Sequence, residues 1–407
     1  MVVISQLKPI RLLLSPSLCV NINMALAVAK PRKNHTKRSV EEEAPLYGDV
    51  LESVLSKLHL IHLLPACHVS KSWHRAVSST LRFSSNRVKP WLVVHTQTTR
   101  FPYVVSSRAY DPASNVWLDV EHPPVKSVST LRSSHSTLLY MLSPSKFAFS
   151  LDALHLEWSS TNTPPLVWRT DPIVAAVGHL IVVAGGGCDY EDDPLAVEMY
   201  DVRNGKWDRC ESMPAIFKDS SASTWLSVAA DERRMYVTEK CSAVTYSFDP
   251  ESKKWFGPYD LCQDMAVFSS VIGFLNGCLV LAGVVGEAEA VKGIKLWDVK
   301  MSDDESLELG KMIGDMPETM VAKLKGESGC EPLISMSCIG GQVCFQNASD
   351  PSELILCELE NGGCRWSSVR NDVVNDRTRL QKMVVTWANV GLPELQKAVQ
   401  VGALKLN

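Results

Sequence analysis

His59, His62, His68 and His74, four of the ten histidines, crowd around Cys67. Imidazole and thiolate are the ligands of zinc. Their spacings fit no ligand pattern, however, and a helical period accounts for the positions, so no metal is expected. A second stretch, "AGGGCDYEDD" at 184–193, looks like a phosphate-cradling loop. It lacks the Lys-Ser/Thr of a nucleotide loop and the third Gly of a dinucleotide fingerprint, and its four acidic residues would repel phosphate. It reads as a turn after a strand followed by an acidic surface loop. Asp189 to Asp193 are expected to be solvated rather than in contact with a substrate. No Gly-x-Ser-x-Gly elbow, His-Glu-x-x-His pair or matched carboxylate pair stands out. The twelve cysteines include no Cys-x-x-Cys pair and sit mostly in apolar runs. They read as small reduced core residues of an intracellular protein. Neither a catalytic set nor a cofactor site emerges.

The elements that remain must therefore be read for architecture. At 407 residues and 45% hydrophobic, the chain can bury a sizeable core in two or more units. No apolar run reaches the roughly eighteen residues of a membrane span. The net charge of −4 hides an asymmetry. Residues 1–40 hold seven Lys/Arg and no acid, leaving 34 basic against 45 acidic groups, net −11, in the rest. An acidic body does not suit broad nucleic-acid binding, which depends on neutralising phosphates.

One spacing recurs. Asp111 stands six before Trp117, Asp152 six before Trp158, Asp201 six before Trp207 and Asp249 six before Trp255. Glu360 and Trp366 keep the same interval. A weaker copy has Trp297-Asp298 and Met316-Pro317 but lacks the later Trp. The acidic anchors step by 41, 49, 48, 49 and 62 residues. A period near fifty marks a β-propeller, and each period parses into four short strands. In the "VEMYDVRNGKWDRC" period, Asn204-Gly205 is a hairpin signal because both residues tolerate positive φ. The fifth period has a weak fourth strand. The first period is one strand short, while an extra run, "MVVTWANV" at 383–390, follows the last Trp. That run is expected to close the ring as the innermost strand of blade one, since an open ring exposes strand edges. Gly185 and Gly186 would let the backbone bend where blades crowd. These features resemble the kelch repeat, whose hallmarks are a Gly-Gly after strand two and spaced Tyr and Trp. Gly185, Gly186, Tyr200 and Trp207 carry the full set, and Trp117, Trp158, Trp255 and Trp366 carry part of it. A catalytic propeller is the competing class, and a WD-repeat scaffold a third.

Residues 45–82 change period. Leu51, Val54, Leu55 and Leu58 lie on one helical face. A second helix covers about 61–68, where Pro65 is tolerable only in the first turn. A third begins at Ser70, with Trp73, Ala76 and Val77 on one face. So small a unit has little core of its own and needs a partner or a neighbouring domain. The stretch "CHVSKSWHRAVSS" resembles the plant form of the F-box. The resemblance implies docking on the Skp-type adaptor of a cullin–RING ubiquitin ligase through Leu46, Leu51, Leu55, Leu58, Leu63 and Val69, with Trp73 bridging to the module's own core.

F-box and kelch resemblances together cover residues 45 to about 390. The expected organisation is a mainly β chain, a six-bladed kelch-type β-propeller preceded by a three-helix F-box. A basic, disordered tail at 1–44 precedes the F-box at 45–85. The propeller follows at 90–390, then a C-terminal tail at 391–407. The tail "MVVISQLKPIRLLLSPSLCVNINMALAVAKPRKNHTKR" has the composition of a transit peptide. Disorder without targeting is the expectation, in cytoplasm or nucleus. "LRSSHSTLLYMLSPSKFAFSLDALHLEW" and "GDVLESVLSKL" resemble plant F-box/kelch members that recognise chalcone synthase. The implied protein is a substrate receptor that makes no chemistry of its own. Its partners are the adaptor and a protein target, with no nucleic acid and no membrane. "PETMVAKLKG", opened by Pro317 and closed by Gly326, predicts a surface helix and a possible contact.

Overall fold

The switch of period near residue 90 is a switch of element. The computed structural model describes residues 48–83, 89–99, 104–121, 129–188, 191–218, 220–262, 264–302, 306–326, 331–360, 363–373 and 381–404. Three helices come first: α1 (Gly48–Leu55), α2 (Leu60–Cys67) and α3 (Lys71–Phe83). Ser70 starts α3, its hydroxyl accepting the Trp73 N–H at 3.3 Å and its carbonyl the His74 N–H at 2.9 Å. Pro65 corrects the expectation drawn above, because it lies inside α2 and past the first turn. The helix ends two residues later, at Cys67, so the missing donor interrupts little.

Six four-stranded antiparallel sheets follow, each a blade. From the inside outwards, blade one is Gln381–Ala388, Trp91–Thr98, Val105–Asp111 and Val116–Val120. Blade two is Leu131–Arg132, Leu139–Ser143, Lys146–Ser150 and Ser159–Ser160. Blade three is Ile173–Val177, Leu180–Ala184, Val197–Asp201 and Lys206–Cys210. Blade four is Leu226–Ala230, Met235–Glu239, Val244–Asp249 and Lys254–Asp260. Blade five is Val267–Leu275, Cys278–Glu287, Ala290–Met301 and Leu307–Asp315. Blade six is Ile334–Ile339, Gln342–Asn347, Glu353–Glu360 and Gly363–Arg370. Blade one thus takes its inner strand from the far end of the chain, Leu92 standing opposite Trp387.

The six-residue interval has a local cause. Asp111, Asp201 and Asp249 each accept a backbone N–H two residues on, at 3.0, 2.8 and 2.9 Å, which nucleates the turn between strands three and four. Asn115, Gly205 and Lys253 complete these turns at positive φ. Asn204 does not share the positive φ; its amide donates to Asp201 instead, at 2.6 Å. Once the turn closes, the Trp falls directly across from the residue before the acid: Tyr110↔Trp117, Tyr200↔Trp207 and Phe248↔Trp255. In blade six a tighter turn pairs Glu360 with Gly363, and Trp366 stands across from Cys357 instead. Each indole then faces the preceding blade. The Trp207 N–H donates to the Thr163 carbonyl at 2.9 Å and the Trp255 N–H to that of Glu211 at 3.2 Å. Large aromatic area is buried in the seams this way.

Two blades depart. In blade two the turn after Asp152 is irregular, with Leu156 at φ +50, and strand four is only two residues long. Trp158 therefore stands before the ladder, half-buried against the seam with blade one. In blade five the fourth strand is not weak but nine residues long. Its partner strand runs on past Asp298, which postpones the turn. Gly185 and Gly186 both take positive φ, and a Cβ on Gly186 would come within 2.4 Å of the Asp171 backbone. α4 (Ala222–Trp225) is a single turn, and α5 (Glu318–Lys325) lies between Pro317 and Gly326. α5 buries Val321 and Leu324 against blades five and six, so it is a packed element as well as a surface one.

Inner strands present one unpaired edge to the axis, and buried backbone groups need partners. The loop at 133–138 supplies some. Ser134 Oγ accepts the Val174 N–H at 3.0 Å, and His135 Nε2 that of Ala176 at 3.3 Å. Ser136 Oγ accepts the Cys338 N–H at 2.7 Å, while its carbonyl takes that of Trp387 at 2.9 Å. One loop thereby ties blades three, six and one. Burial lowers the His135 pKa to about 4, so the ring stays neutral and able to accept.

Residues 391–404 do not form a tail. α6 (Leu392–Gln400) buries Leu392, Leu395 and Ala398 on one face, and Leu404 forms a bridge to Val120. The apolar spacing that drives this is three residues, and Glu394 closes the first turn by accepting the Gly391 N–H at 3.0 Å.

Candidate docking site

Antiparallel strands alternate in direction. In every blade the connections from strand one to two and from three to four therefore open on one face. The connections from two to three and from blade to blade open on the other. The chain enters blade one at Trp91 and leaves it after Ala388, both on the first of these faces. The helical module belongs there, and a common core proves it. Leu51, Leu55, Leu60, Leu63 and Leu64 share one buried cluster with Ala153, Leu154 and Leu156 of the blade-two turn and with Leu392 and Leu395 of α6. α6 lies against α2 and is tied to the same turn, where His155 Nε2 meets the Glu394 carbonyl at 3.3 Å and Lys397 pairs with Glu157.

This junction corrects the docking residues drawn from the resemblance. Leu51 and Leu55 are 1% exposed and Leu63 is 2%, so their side chains are core and meet no visitor. Leu58 and Trp73 are half-buried against that core. Only Val69, 45% exposed, stands at the surface, and Leu46 lies outside the described residues. The reason is the one that made the module need a neighbour: three short helices cannot hide their leucines except against the propeller and α6. The apolar residues left open are Val50, Val54 and Val69. Val50 and Val54 are four apart on α1 and so share a face. Helical period alone set Val54 on the same face as Leu51 and Leu55, whereas the structure leaves it exposed while they are buried, and it passed over Val50.

The opposite face has its own apolar population. Val104, Leu166, Ile216, Trp225, Met265 and Leu333 are exposed, and each lies on a connection that opens away from the helical module. Leu166 is 83% exposed and is held there by a buried pair. Arg169 donates to the Gly185 and Ala196 carbonyls at 2.8 and 2.7 Å and to Glu198 Oε2 at 2.9 Å. Glu198 in turn accepts the Leu166 and Val167 N–H groups at 2.7 and 3.2 Å. Burial pushes the Arg169 pKa down and Glu198 draws it back up. In the acidic loop Asp193 is occupied, accepting from Ser212 at 2.6 Å and pairing with Arg209 at 3.3 Å. Asp189 lies outside the described residues. Among those described, no group of three or more His, Cys, Asp or Glu is placed to hold a metal ion, and no helix is long and apolar enough to cross a membrane.

Leu395 is the test of the junction. It is fully buried, so Leu395→Ala is expected to cost about 2–5 kcal/mol in urea unfolding. Val399→Ala, on the open side of the same helix, should stay within about 0.5 kcal/mol.

A six-bladed propeller with a three-helix module built onto one face defines the class: mainly β, with an F-box in front. The F-box domain profile matches residues 48–85, a range that contains α1 to α3. An F-box/kelch-repeat protein of Arabidopsis thaliana is 44% identical over 371 residues, covering 88% of this chain and 93% of that one. The chain belongs to the F-box/kelch-repeat proteins. Crystal structures of two bacterial proteins provisionally named 6-phosphogluconolactonases are also similar. That of Bacteroides uniformis has a TM-score of 0.39 and 12% identity over 74% of this chain and 83% of its own. That of Bacteroides fragilis has 0.40 and 12% over 75% and 99%. Likeness at that level says nothing of activity.

Proposed function

We propose that the chain is the substrate receptor of an SCF-type ubiquitin ligase. The F-box docks on a Skp-type adaptor, and the propeller offers its far face to a target protein. The chain itself catalyses nothing. Tethering raises the effective concentration of target lysines near the activated ubiquitin carrier, and the transfer is made elsewhere in the complex. The target is then degraded by the proteasome, in the cytoplasm or nucleus. The observation that carries this reading is the division of exposed apolar residues: Val50, Val54 and Val69 on the helical module, and Leu166, Trp225 and Met265 among those facing the opposite way. Two interfaces that do not compete for surface are what a bridging receptor needs.

The finer proposal is that the target is chalcone synthase, which would make the protein a regulator of flavonoid and phenylpropanoid synthesis. Its support is the resemblance of residues 131–158 to the members that recognise that enzyme. Partners captured on the full chain while the proteasome is blocked should include chalcone synthase; their absence would remove the target and leave the receptor reading standing.

For the adaptor, Val54→Asp in the full-length chain is expected to weaken co-purification with a Skp-type protein by tenfold or more, since a buried unpaired charge in an apolar contact costs several kcal/mol. The propeller should melt at an unchanged temperature because Val54 is exposed. Undiminished adaptor binding would overturn the assignment of the docking face.

A further inference from the structure

Five of the six seams between blades are filled by a tryptophan at or just before a fourth strand. Trp117 fills six to one, Trp158 one to two, Trp207 two to three, Trp255 three to four and Trp366 five to six. The seam between blades four and five has none. There Met312 stands across from Trp297, the register position that an indole takes in its sister blades, and its side chain is 52% exposed. Beside it is a half-open cavity of about 220 Å³, walled on its apolar side by Leu261, Leu281, Trp297, Leu309 and Met312 and on its polar side by Asp264, Ser270 and Lys295. A cavity of about 150 Å³ already takes benzene, so the volume here admits a bicyclic ring with one edge toward polar groups.

The acceptor is in place as well. Where the indole N–H is bonded in other seams, it donates to a carbonyl of the preceding blade shortly after that blade's fourth strand, at Thr163 and Glu211. By ladder register Glu211 matches Asp260 of blade four, and Leu261, the next residue and the first past its strand, lines the slot. Among the described residues nothing donates to the Leu261 carbonyl. The slot therefore keeps the aromatic wall, the volume and the hydrogen-bond acceptor of its sister seams without the ring that elsewhere uses them.

We propose that the slot between blades four and five binds an indole ring in trans, stacked on Trp297 with its N–H directed to the Leu261 carbonyl. The ring comes either from a small indolic molecule or from a tryptophan side chain of a bound protein. This inference does not depend on the ligase reading.

The full-length chain is titrated with 3-methylindole by calorimetry, in parallel with N-acetyltryptophanamide and 1-methylindole. Saturable binding of 3-methylindole at one site is expected, with 1-methylindole about 2- to 10-fold weaker because it lacks the donor. Binding of N-acetyltryptophanamide at similar strength assigns the slot to a protein side chain; its exclusion assigns it to a small molecule. Met312→Trp, which supplies the missing ring in cis, is expected to abolish binding and raise the melting temperature. Trp297→Leu should abolish binding in a chain that still folds. No saturable binding up to millimolar concentration, or wild-type affinity in both variants, would overturn the proposal. Equal affinity for 1-methylindole would overturn the role of Leu261.

Discussion

Glu198→Ala should destabilise the propeller by about 3–5 kcal/mol, because it strands the Arg169 charge in a site with almost no solvent. The Arg169 and Glu198 side chains are 0% and 2% exposed. The substitution also removes the acceptor of the Leu166 and Val167 N–H groups, which adds a smaller loss because that connection is partly open to water. Domains of this kind are stable by about 5–15 kcal/mol, so the loss is a large fraction of the whole. Replacing both partners by apolar residues, as Arg169→Met with Glu198→Leu, is expected to recover part of it, since an empty pair costs less than a half pair. Urea unfolding of the two single variants and the double variant measures the coupling. A double variant no better than Glu198→Ala would mean that the carbonyl bonds of Arg169 to Gly185 and Ala196 carry the effect. The consequence for function is local, because this pair sets the connection bearing Leu166. Variants there should weaken target binding at temperatures where the rest of the ring is still folded.

No spacing in the sequence announces that pair. Arg169, in the connection before blade three, and Glu198, in that blade's third strand, are twenty-nine residues apart, and only the folded blade brings them together. The legible features were those whose cause is local. An acid that nucleates a turn fixes where the next Trp falls, and that interval repeats wherever the turn is intact. It misleads in blades two and six, where Asp152 with Trp158 and Glu360 with Trp366 keep the interval but not the register. It goes silent in blade five, where the strand runs on past Asp298 before turning. Helical period correctly found a face containing Leu51 and Leu55, yet a period says only that a face is buried, not by what. The propeller and α6 bury it, which leaves the valines for a partner. α6 itself was hidden by its brevity and by Pro393, although Gly391 with Glu394 three residues later is a start signal in hindsight. The loop at 133–138 was beyond reach for another reason: its bonds join residues as distant in the chain as Ser136 and Trp387.

Trp387→Ala is expected to cost about 3–5 kcal/mol, the range for emptying a core aromatic site. Trp387 is 1% exposed and stands in the strand that closes the ring. Its indole N–H donates to the Ser337 carbonyl and hydroxyl at 3.2 and 3.1 Å, so the ring reaches from blade one to blade six. Its backbone N–H is held by the Ser136 carbonyl of blade two. A single residue thus joins the first, second and last blades, beside the one ladder, Gln381–Ala388 with Trp91–Thr98, whose two strands come from opposite ends of the propeller sequence. Trp387→Phe keeps most of the buried area and loses only the two polar contacts, so it should cost roughly 1–2 kcal/mol. The order Ala, then Phe, then wild type in urea midpoint is the expected ranking. If closure is what the residue supplies, amide exchange in Trp387→Ala should quicken first in Trp91–Thr98 and Ile334–Ile339, on either side of the weakened seam, before it does in blades three and four. Exchange that quickens evenly around the ring would show instead that the loss is one of bulk burial and that closure is held by the backbone ladder between Trp91–Thr98 and Gln381–Ala388.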